Sequence, residues 1–309
     1  MFRTIFLALS KNQTARQMMT HFAPARATAR RFVAGETLDQ AVAVVKDLNQ
    51  RGIKAVINEV GESVTSCIGA VEAAQSFHVI LQRIKDDSLD ATVSLKPSHV
   101  GMTFGQEECY KNIAGIVELA QKLGIVVEID IEDSADVEAT LQVYHHLLDE
   151  FGGGLRLALQ AYLRRTPDDL RRIIERGGSV RLVKGAYKES AAIAYQTRAE
   201  IQQASQRLMA QFFTPQAQET GAHLALGSHD PVLIDWLLRE AEANGLVKDR
   251  FEVQMLLGIR RDEQQRLADL GYQVRIYVPY GAAWYPYFMR RLAEHPANAL
   301  LMARAMVGK

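Results

Sequence analysis

The chain has 309 residues, 48% hydrophobic and 23% charged, which is enough to bury a large core as two ordinary domains or as one α/β barrel. Its 36 basic and 36 acidic residues balance, which excludes a whole-molecule attraction to nucleic acid. Two cysteines without metal-binding spacing, and no apolar run of the roughly 18 residues that a membrane span needs, predict a cytoplasmic location.

The first 35 residues contain several basic side chains and no acidic one. The apolar run at residues 5–9 is too short for a membrane span and has no convincing cleavage site after it, so no secretory signal is predicted. Two interpretations stay open. The segment is either an ordinary surface helix, or a basic amphipathic arm that resembles an organelle transit peptide or makes peripheral contact with anionic lipid at the inner face of the membrane.

Beyond this segment, strand-like runs alternate with amphipathic helical patterns. Thr37 precedes a helical pattern at residues 38–50 and is its predicted N-cap. The alternation predicts parallel βαβ units, and eight strands in about 250 residues favour one (β/α)8 barrel of the TIM type over an open doubly wound sheet. The predicted strands are residues 53–57, 92–95, 125–131, 155–159, 180–183, 223–226, 251–255 and 274–278, and helices are predicted at residues 107–123, 136–150, 167–176, 200–213, 231–244 and 262–270.

We divide the chain into an N-terminal helical arm, residues 1–50, and a catalytic barrel, residues 51–309. The interior of such a barrel is packed, so active groups lie at the carboxyl ends of the strands. The basic residues Lys96, Arg181 and Lys184 at these ends, together with Arg290 and Arg291 after the last strand, favour an anionic cofactor, an anionic substrate or both. The polar residues there are Asn58, Glu62, Lys96, Asp130, Glu132, Asp133, Gln160, Arg181, Lys184, Tyr187, Ser228, His229, Asp230, Gln254 and Tyr277.

A helix predicted to begin near Trp284 follows the eighth strand. Tyr287, Arg291 and Glu294 are spaced i, i+4 and i+7, so they share one face of that helix, and Arg290 lies about 100° round the axis. Two guanidinium groups beside a tyrosine favour a site for a small carboxylate. A solvated basic face on a last helix is the alternative.

Other common sites are not indicated by the sequence. No GxGxxG follows a strand, no Walker loop occurs, and neither HExxH nor a cysteine cluster predicts a catalytic metal. His145 and His146, neighbours on a predicted helix, are expected to be exposed. The adjacent residues Ser228, His229 and Asp230 do not predict a catalytic triad, because neighbours in sequence do not produce its geometry.

Eight motifs then occur in a specific order. They are VGESVTS at residues 60–66, SLKPS at 94–98, EIDIED at 128–133, LQAYLRRT at 159–166, RLVKGAYKE at 181–189, GSHDP at 227–231, FEVQMLLGIR at 251–260 and YxxRRLxE at 287–294. On these motifs the chain resembles, over nearly its whole length, the proline dehydrogenases of the short monofunctional bacterial type. The resemblance implies a distorted (β/α)8 barrel that holds FAD, oxidises L-proline to Δ1-pyrroline-5-carboxylate and passes electrons to a membrane quinone. It also implies a pyrroline-5-carboxylate dehydrogenase as a partner.

The same resemblance implies a substrate site. Arg290 and Arg291 would clamp the proline carboxylate, with Lys96 beside them as a further catalytic-site cation. Glu62 and Glu294 would form the ion pairs that fix these cations.

Further roles follow for aromatic residues and for the cofactor. Tyr277 and Tyr287 would form walls over the proline ring, and Tyr287 would crowd out a ring hydroxyl group. Asp130 would be the active-site carboxylate, and Arg181 would stabilise the charge that accumulates on the reduced flavin. The residues implied for FAD binding are Gln160, Arg181, Val183, Lys184, Gly185, Ala186, Tyr187 and His229.

The chain departs from the family pattern at residues 194–209, where a lysine-rich run is replaced and Arg198 is the nearest basic residue. Contacts with the adenosine part of FAD are therefore left open. Three other classes of function also stay open: a Schiff-base aldolase using Lys184 or Lys96 with Asp130 as proton shuttle, a non-catalytic barrel that binds an amino acid, and a methylenetetrahydrofolate reductase.

Overall fold

Eight parallel strands form the centre of the protein. A computed structural model describes residues 29–61 and 64–294, with side chains as far as Met289. The strands pair in chain order and the eighth pairs with the first, so the sheet closes into a barrel, as predicted, and the open doubly wound sheet is excluded. The strands are β1 (Lys54–Glu59), β2 (Ala91–Leu95), β3 (Val127–Ile129), β4 (Leu155–Gln160), β5 (Ser179–Val183), β6 (His223–Gly227), β7 (Phe251–Leu256) and β8 (Val274–Tyr280).

Helices surround this barrel, and most of them match the predicted patterns within a few residues. The hydroxyl group of Thr37 accepts the backbone N–H of Gln40, which confirms the predicted N-cap. The sequence patterns did not predict α2 or the short α7. The helices are α1 (Leu38–Gln50), α2 (Cys67–Asp86), α3 (Gln106–Leu123), α4 (Val137–Phe151), α5 (Thr166–Ile174), α6 (Arg198–Ala210), α7 (Pro215–Thr220), α8 (Pro231–Ala243), α9 (Arg261–Asp269) and α10 (Trp284–Glu294).

Helix α1 packs against β1 and β8, at the seam where the barrel closes. Residues 1–28 of the predicted arm lie outside the described residues. The division of the chain at residue 50 therefore stays a prediction.

Helix α10 begins at Trp284, as predicted, and packs in a hydrophobic cluster separate from the main core. The backbone N–H of Gly281 donates to the carbonyl of Gly35 at 3.0 Å, and the indole N–H of Trp284 donates to Glu36 at 3.0 Å. Ile259, which follows β7, packs against the same cluster. Since Ile259 and Gly281 follow the carboxyl ends of two strands, α10 lies at that end of the barrel. The cluster consists of Ala29, Phe32, Val33, Trp284, Tyr285, Phe288 and Met289.

The interior of the barrel contains a network of ion pairs. Glu128 on β3 accepts hydrogen bonds from Gln254 on β7, and because β3 and β7 are not neighbours these bonds cross the interior. Arg156 on β4 bonds to Glu128 at 2.9 Å and also to Glu252 on β7. A buried charge is costly unless it is paired, so matched numbers of both signs are needed here. The described charged residues inside are Glu128, Asp130, Glu252, Arg156, Arg181 and Arg275, each less than a tenth exposed.

Pairing decides the ionisation of Glu252. Burial alone would raise the pKa of this carboxyl group, but Arg275 and Arg156 outweigh burial and lower the pKa to about 2. The guanidinium of Arg275 donates to both carboxylate oxygens, at 3.0 and 3.1 Å. Near the amino-terminal ends of the strands, the ionised carboxylate of Glu252 therefore stabilises the interior by pairing with two arginines.

We predict that His223 makes stability depend on pH. Burial first, and then Arg156 beside the ring, lower the pKa of His223 to about 4 in the folded chain. Between the ordinary value of about 6.5 and pH 4 the unfolded chain therefore binds more protons than the folded one, so stability falls with falling pH. Between pH 7 and pH 5, we expect the free energy of unfolding of His223→Asn to fall by about 2 kcal/mol less than that of the unchanged chain. Urea unfolding at the two pH values measures this. The same loss in both proteins would contradict this.

Candidate active site

Asp130, directly after β3, is the meeting point of the candidate site. Its Oδ1 atom accepts the hydroxyl of Ser94 on β2 at 2.8 Å and a guanidinium N–H of Arg181 on β5. Its Oδ2 atom accepts the hydroxyl of Tyr277 on β8 at 3.0 Å. Three strands thus hold one carboxylate, and the structure brings together three of the residues predicted for catalysis and substrate binding.

Arg181 is a buried cation, and some of its guanidinium N–H groups have no hydrogen-bond partner among the described residues. It donates to Glu128 at 3.2 Å and to Asp130, and its guanidinium carbon lies 5.4 Å from the centre of the Tyr277 ring. Burial lowers the pKa of Arg181, but the two carboxylates outweigh burial and raise the pKa above its ordinary value. These bonds use two of the five guanidinium N–H groups. Among the described residues the other three have no partner, so they are available to a ligand.

Tyr277 is partly exposed and stays a neutral phenol. Burial first, and Asp130 next, raise its pKa well above the ordinary value, and Tyr287 adds a smaller contribution. Tyr287 of α10 is therefore close to Tyr277 of β8, in agreement with their predicted positions on one site. Since the phenol of Tyr277 donates to Asp130, its ring is fixed in orientation.

Lys96 follows β2 and is partly buried. Among the described residues its ammonium group has no hydrogen-bond or ion-pair partner, which suits a binding site for an anion. Arg290, Arg291 and Glu294 belong to α10, but their side chains lie outside the described residues, as does Glu62. The carboxylate clamp therefore stays a prediction.

The ends of β4, β5 and β6 form a second part of the site. The side-chain amide of Gln160 donates to the carbonyl of Glu132 at 2.8 Å, and its amide oxygen has no partner among the described residues. The Nε2 atom of His229 accepts the backbone N–H of Leu256 at 2.8 Å, so its neutral ring carries the proton on Nδ1. Lys184, Ala186 and Tyr187 are exposed on the loop after β5, and Gly185 on that loop and Val183 at the end of β5 are partly exposed.

Gly185 shapes that loop. Its φ angle is +107°, and a Cβ atom on it would lie 2.3 Å from the buried ring of Tyr162. The backbone N–H groups of Ala161 and Tyr162 donate to the carbonyls of Val183 and Lys184, at 2.7 and 3.1 Å. The loop therefore lies flat on Tyr162 and keeps the predicted cofactor-binding residues together at the mouth.

Some predicted positions are corrected by the structure. Gln254, predicted at the mouth, lies inside the barrel, where its amide donates to Glu128 and Glu252. Arg198 pairs at 3.1 Å with Asp230, the residue that caps α8, and its contact with the adenosine part of FAD, which the sequence left open, stays untested. Of the two histidines expected to be exposed, His146 is exposed, while His145 is only partly exposed because it contacts Arg176.

The interior ion pairs were not assigned a role from the sequence. Glu128, Arg156, Glu252 and Arg275 each lie inside an apolar strand, at an even spacing from another polar residue. A charge at alternate positions of a buried strand is the signal that could have found them, since side chains alternate between the two faces.

Nothing in this geometry favours a Schiff-base aldolase. Asp130 is engaged with Ser94, Arg181 and Tyr277 rather than with a lysine. Lys184 is exposed to solvent, whereas the lysine of a Schiff-base enzyme is typically desolvated. The part of the chain that the structure describes contains no group of acidic, histidine or cysteine side chains that could hold a metal ion, and no helix long and apolar enough to cross a bilayer.

The fold and site define a (β/α)8 barrel with a hydrogen-bonded group of Asp130, Arg181 and Tyr277 at the carboxyl ends of its strands. A family model described as proline dehydrogenase matches residues 41–304. Proline dehydrogenase 1 of Bacillus subtilis subsp. natto is 37% identical over 312 residues, covering 100% of both chains, and proline dehydrogenase of Deinococcus radiodurans is 36% identical over 299 residues, covering 96% of this chain and 93% of its own. The chain belongs to the proline dehydrogenase family.

A solved structure supports the fold. Proline utilization A from Bdellovibrio bacteriovorus, inactivated by N-propargylglycine, superposes with a TM-score of 0.83 at 22% identity. The match covers 95% of this chain and 36% of that one, so the chain spans about a third of the larger protein. The barrel is therefore shared with one part of a longer polypeptide.

We predict that Gly185→Ala damages the loop after β5. The added Cβ atom would meet the Tyr162 ring in a backbone conformation that already disfavours side chains. Gly105 is a matched control, because its φ is +126° but nothing lies within 4 Å of the added atom. We expect Gly185→Ala to lower the free energy of unfolding by about 1–3 kcal/mol more than Gly105→Ala, measured by urea unfolding. Equal losses would show that the contact with Tyr162 is unimportant.

Proposed function

We propose that this chain catalyses the FAD-dependent oxidation of L-proline to Δ1-pyrroline-5-carboxylate and passes the electrons to a quinone. The observation that carries the proposal is the group formed by Asp130, Arg181 and Tyr277 at the mouth of the barrel, in a chain of the proline dehydrogenase family. The group combines a fixed cation with an aromatic wall. Both suit a flat cofactor that becomes negatively charged and a small ring substrate.

The residues after β4, β5 and β6 fit FAD. Arg181, Lys184 and His229 offer cationic or N–H donor groups, and the amide oxygen of Gln160 offers an acceptor. Gly185 lets the backbone of the loop after β5 run close to the ring of Tyr162. We assign FAD binding to these residues together with Val183, Ala186 and Tyr187.

Oxidation removes a hydride from the ring carbon beside the amine and a proton from the amine, which leaves a C=N bond. FAD, when bound, supplies the ring system that accepts the hydride. Arg290 and Arg291 hold the proline carboxylate and thereby set the angle of the proline ring, with Lys96 as a third cation near the same group. Glu62 and Glu294 pair with these cations.

The chain's own groups also set the electrostatics. Arg181 directs its remaining N–H groups at negative charge that develops in the reaction. Asp130 already accepts three hydrogen bonds, so it acts as a fixed anion that holds Arg181 and Tyr277 rather than as a mobile base. Tyr277 and Tyr287 confine the substrate ring between β8 and α10.

The electron acceptor and the partners complete the proposal. A quinone dissolved in the membrane requires contact with the bilayer, and the excess of basic residues in the first 35 residues supports such contact with anionic lipid. The product is an imine that a pyrroline-5-carboxylate dehydrogenase would consume. Family membership supports both assignments.

The visible spectrum of the purified protein is the first test. We expect a yellow protein that bleaches when L-proline is added without oxygen, because the hydride reduces bound flavin. A yellow protein unaffected by proline would leave the flavin site and redirect the search to other small carboxylates. A colourless protein that FAD cannot reconstitute would overturn the proposal.

We predict that Arg291→Ala weakens proline binding and leaves FAD in place. A charge-assisted hydrogen bond to a carboxylate contributes about 1.5–3 kcal/mol, so we expect KM for proline to rise about 10-fold or more. Arg239→Ala, at an exposed position of α8, is the control and should leave KM unchanged. Loss of bound flavin from the Arg291 variant would refute its role as a clamp.

A further inference from the structure

Glu128 is the most enclosed charge in the barrel. Its side chain is 0% exposed, and it does not reach the mouth. Its Oε1 atom accepts hydrogen bonds from Thr92 and Arg156, both at 2.9 Å, and its Oε2 atom accepts one from Arg181 at 3.2 Å. Gln254 donates to both oxygens, at 3.1 and 3.0 Å. One carboxylate thus joins the arginine of the candidate site to the ion pairs of the interior.

We propose that Glu128 is a positioning residue, which holds the guanidinium of Arg181 in the orientation that binds FAD. The inference rests on the proposed function, in which Arg181 contacts FAD. Glu128 and Asp130 are two residues apart on β3, so both point into the barrel, and each binds a different terminal nitrogen of Arg181. Two contacts at the two terminal nitrogens fix the plane of the guanidinium, whereas Asp130 alone would let it rotate.

Gln254 links Glu128 by hydrogen bonds to the other ion pairs of the interior. Its amide nitrogen donates to Glu128 and also to Glu252 at 2.7 Å, while its amide oxygen is buried without a partner among the described residues. A buried acceptor without a donor costs free energy. The amide is therefore held in this orientation by the two carboxylates, and Glu128 is anchored to the Glu252 ion pairs below it.

Glu128→Gln keeps the size of the side chain and removes its charge. The loss of charge and the loss of positioning change the affinity for FAD in opposite directions. Loss of a negative charge beneath the mouth would strengthen binding of the anionic cofactor, whereas loss of the Arg181 orientation would weaken it.

The experiment is an FAD titration of the apoprotein, followed by the quenching of flavin fluorescence. We expect the FAD dissociation constant of Glu128→Gln to rise about 10-fold, the loss of one well-placed charged hydrogen bond. Glu252→Gln is the matched control, since it removes a buried carboxylate that also binds Gln254 but does not touch Arg181. We expect it to change the dissociation constant by less than about 3-fold.

A double-mutant cycle separates this role from a general loss of packing. In the Arg181→Lys background, Glu128→Gln should change the FAD dissociation constant by no more than about 2-fold, because the side chain that it positions is gone. A full effect in that background, or tighter binding by Glu128→Gln alone, would overturn the proposal. If Arg181→Lys leaves FAD binding and turnover unchanged, the proposed role of Arg181 fails instead.

A second variant tests the proposal if the Glu128→Gln protein does not fold. Thr92→Val removes one hydrogen bond to Glu128 and keeps its charge. We expect a smaller increase in the FAD dissociation constant, which Arg181→Lys again abolishes. An increase of the same size in both backgrounds would count against positioning through Arg181.

Discussion

The structure depends on the pairing of buried charge inside the barrel. An unpaired ion in this interior would be costly, so each arginine on a strand requires a carboxylate within reach. Arg156 and Arg275 meet Glu252, and Arg156 also meets Glu128. The Arg156–Glu252 contact joins β4 to β7 across the barrel, whereas the other two join neighbouring strands, so the network links the strands both around and across the interior. A barrel filled by branched apolar residues would pack as well, but it could not hold a cation beneath its mouth.

Pairing becomes less complete toward the carboxyl end of the strands. Arg275 uses its guanidinium on Glu252 and on the carbonyl of Ala55. Arg181 has three N–H groups without a partner among the described residues, and Lys96 has no partner among them. Among the described residues, the positive charge without a partner therefore lies toward the carboxyl end of the barrel. One network of buried charge therefore both stabilises the fold and holds Arg181 beneath the mouth of the barrel.

The sequence predicted the barrel because each strand and most of the helices have a clear local pattern, and the bounds of β4 and α1 were nearly correct. It also predicted Asp130, Arg181 and Tyr277 as one site, since the carboxyl ends of parallel strands meet at one face. It did not predict that Glu128 contacts Gln254, because the two residues are 126 positions apart and neither lies in a local motif of ion pairs. Contacts across a closed sheet depend on strand order and register, which local patterns do not contain.

The same limit explains why the packing of α10 could not be predicted. Its start and its aromatic face could be predicted from spacing, but spacing does not say what the helix packs against. The structure shows that α10 packs with Phe32 and Val33, far earlier in the chain, and that Trp284 bonds to Glu36. A helix on the outer wall would carry Tyr287 away from Tyr277. Because the segment at residues 29–36 holds α10 at the mouth instead, the last helix lies beside the group that Asp130 assembles.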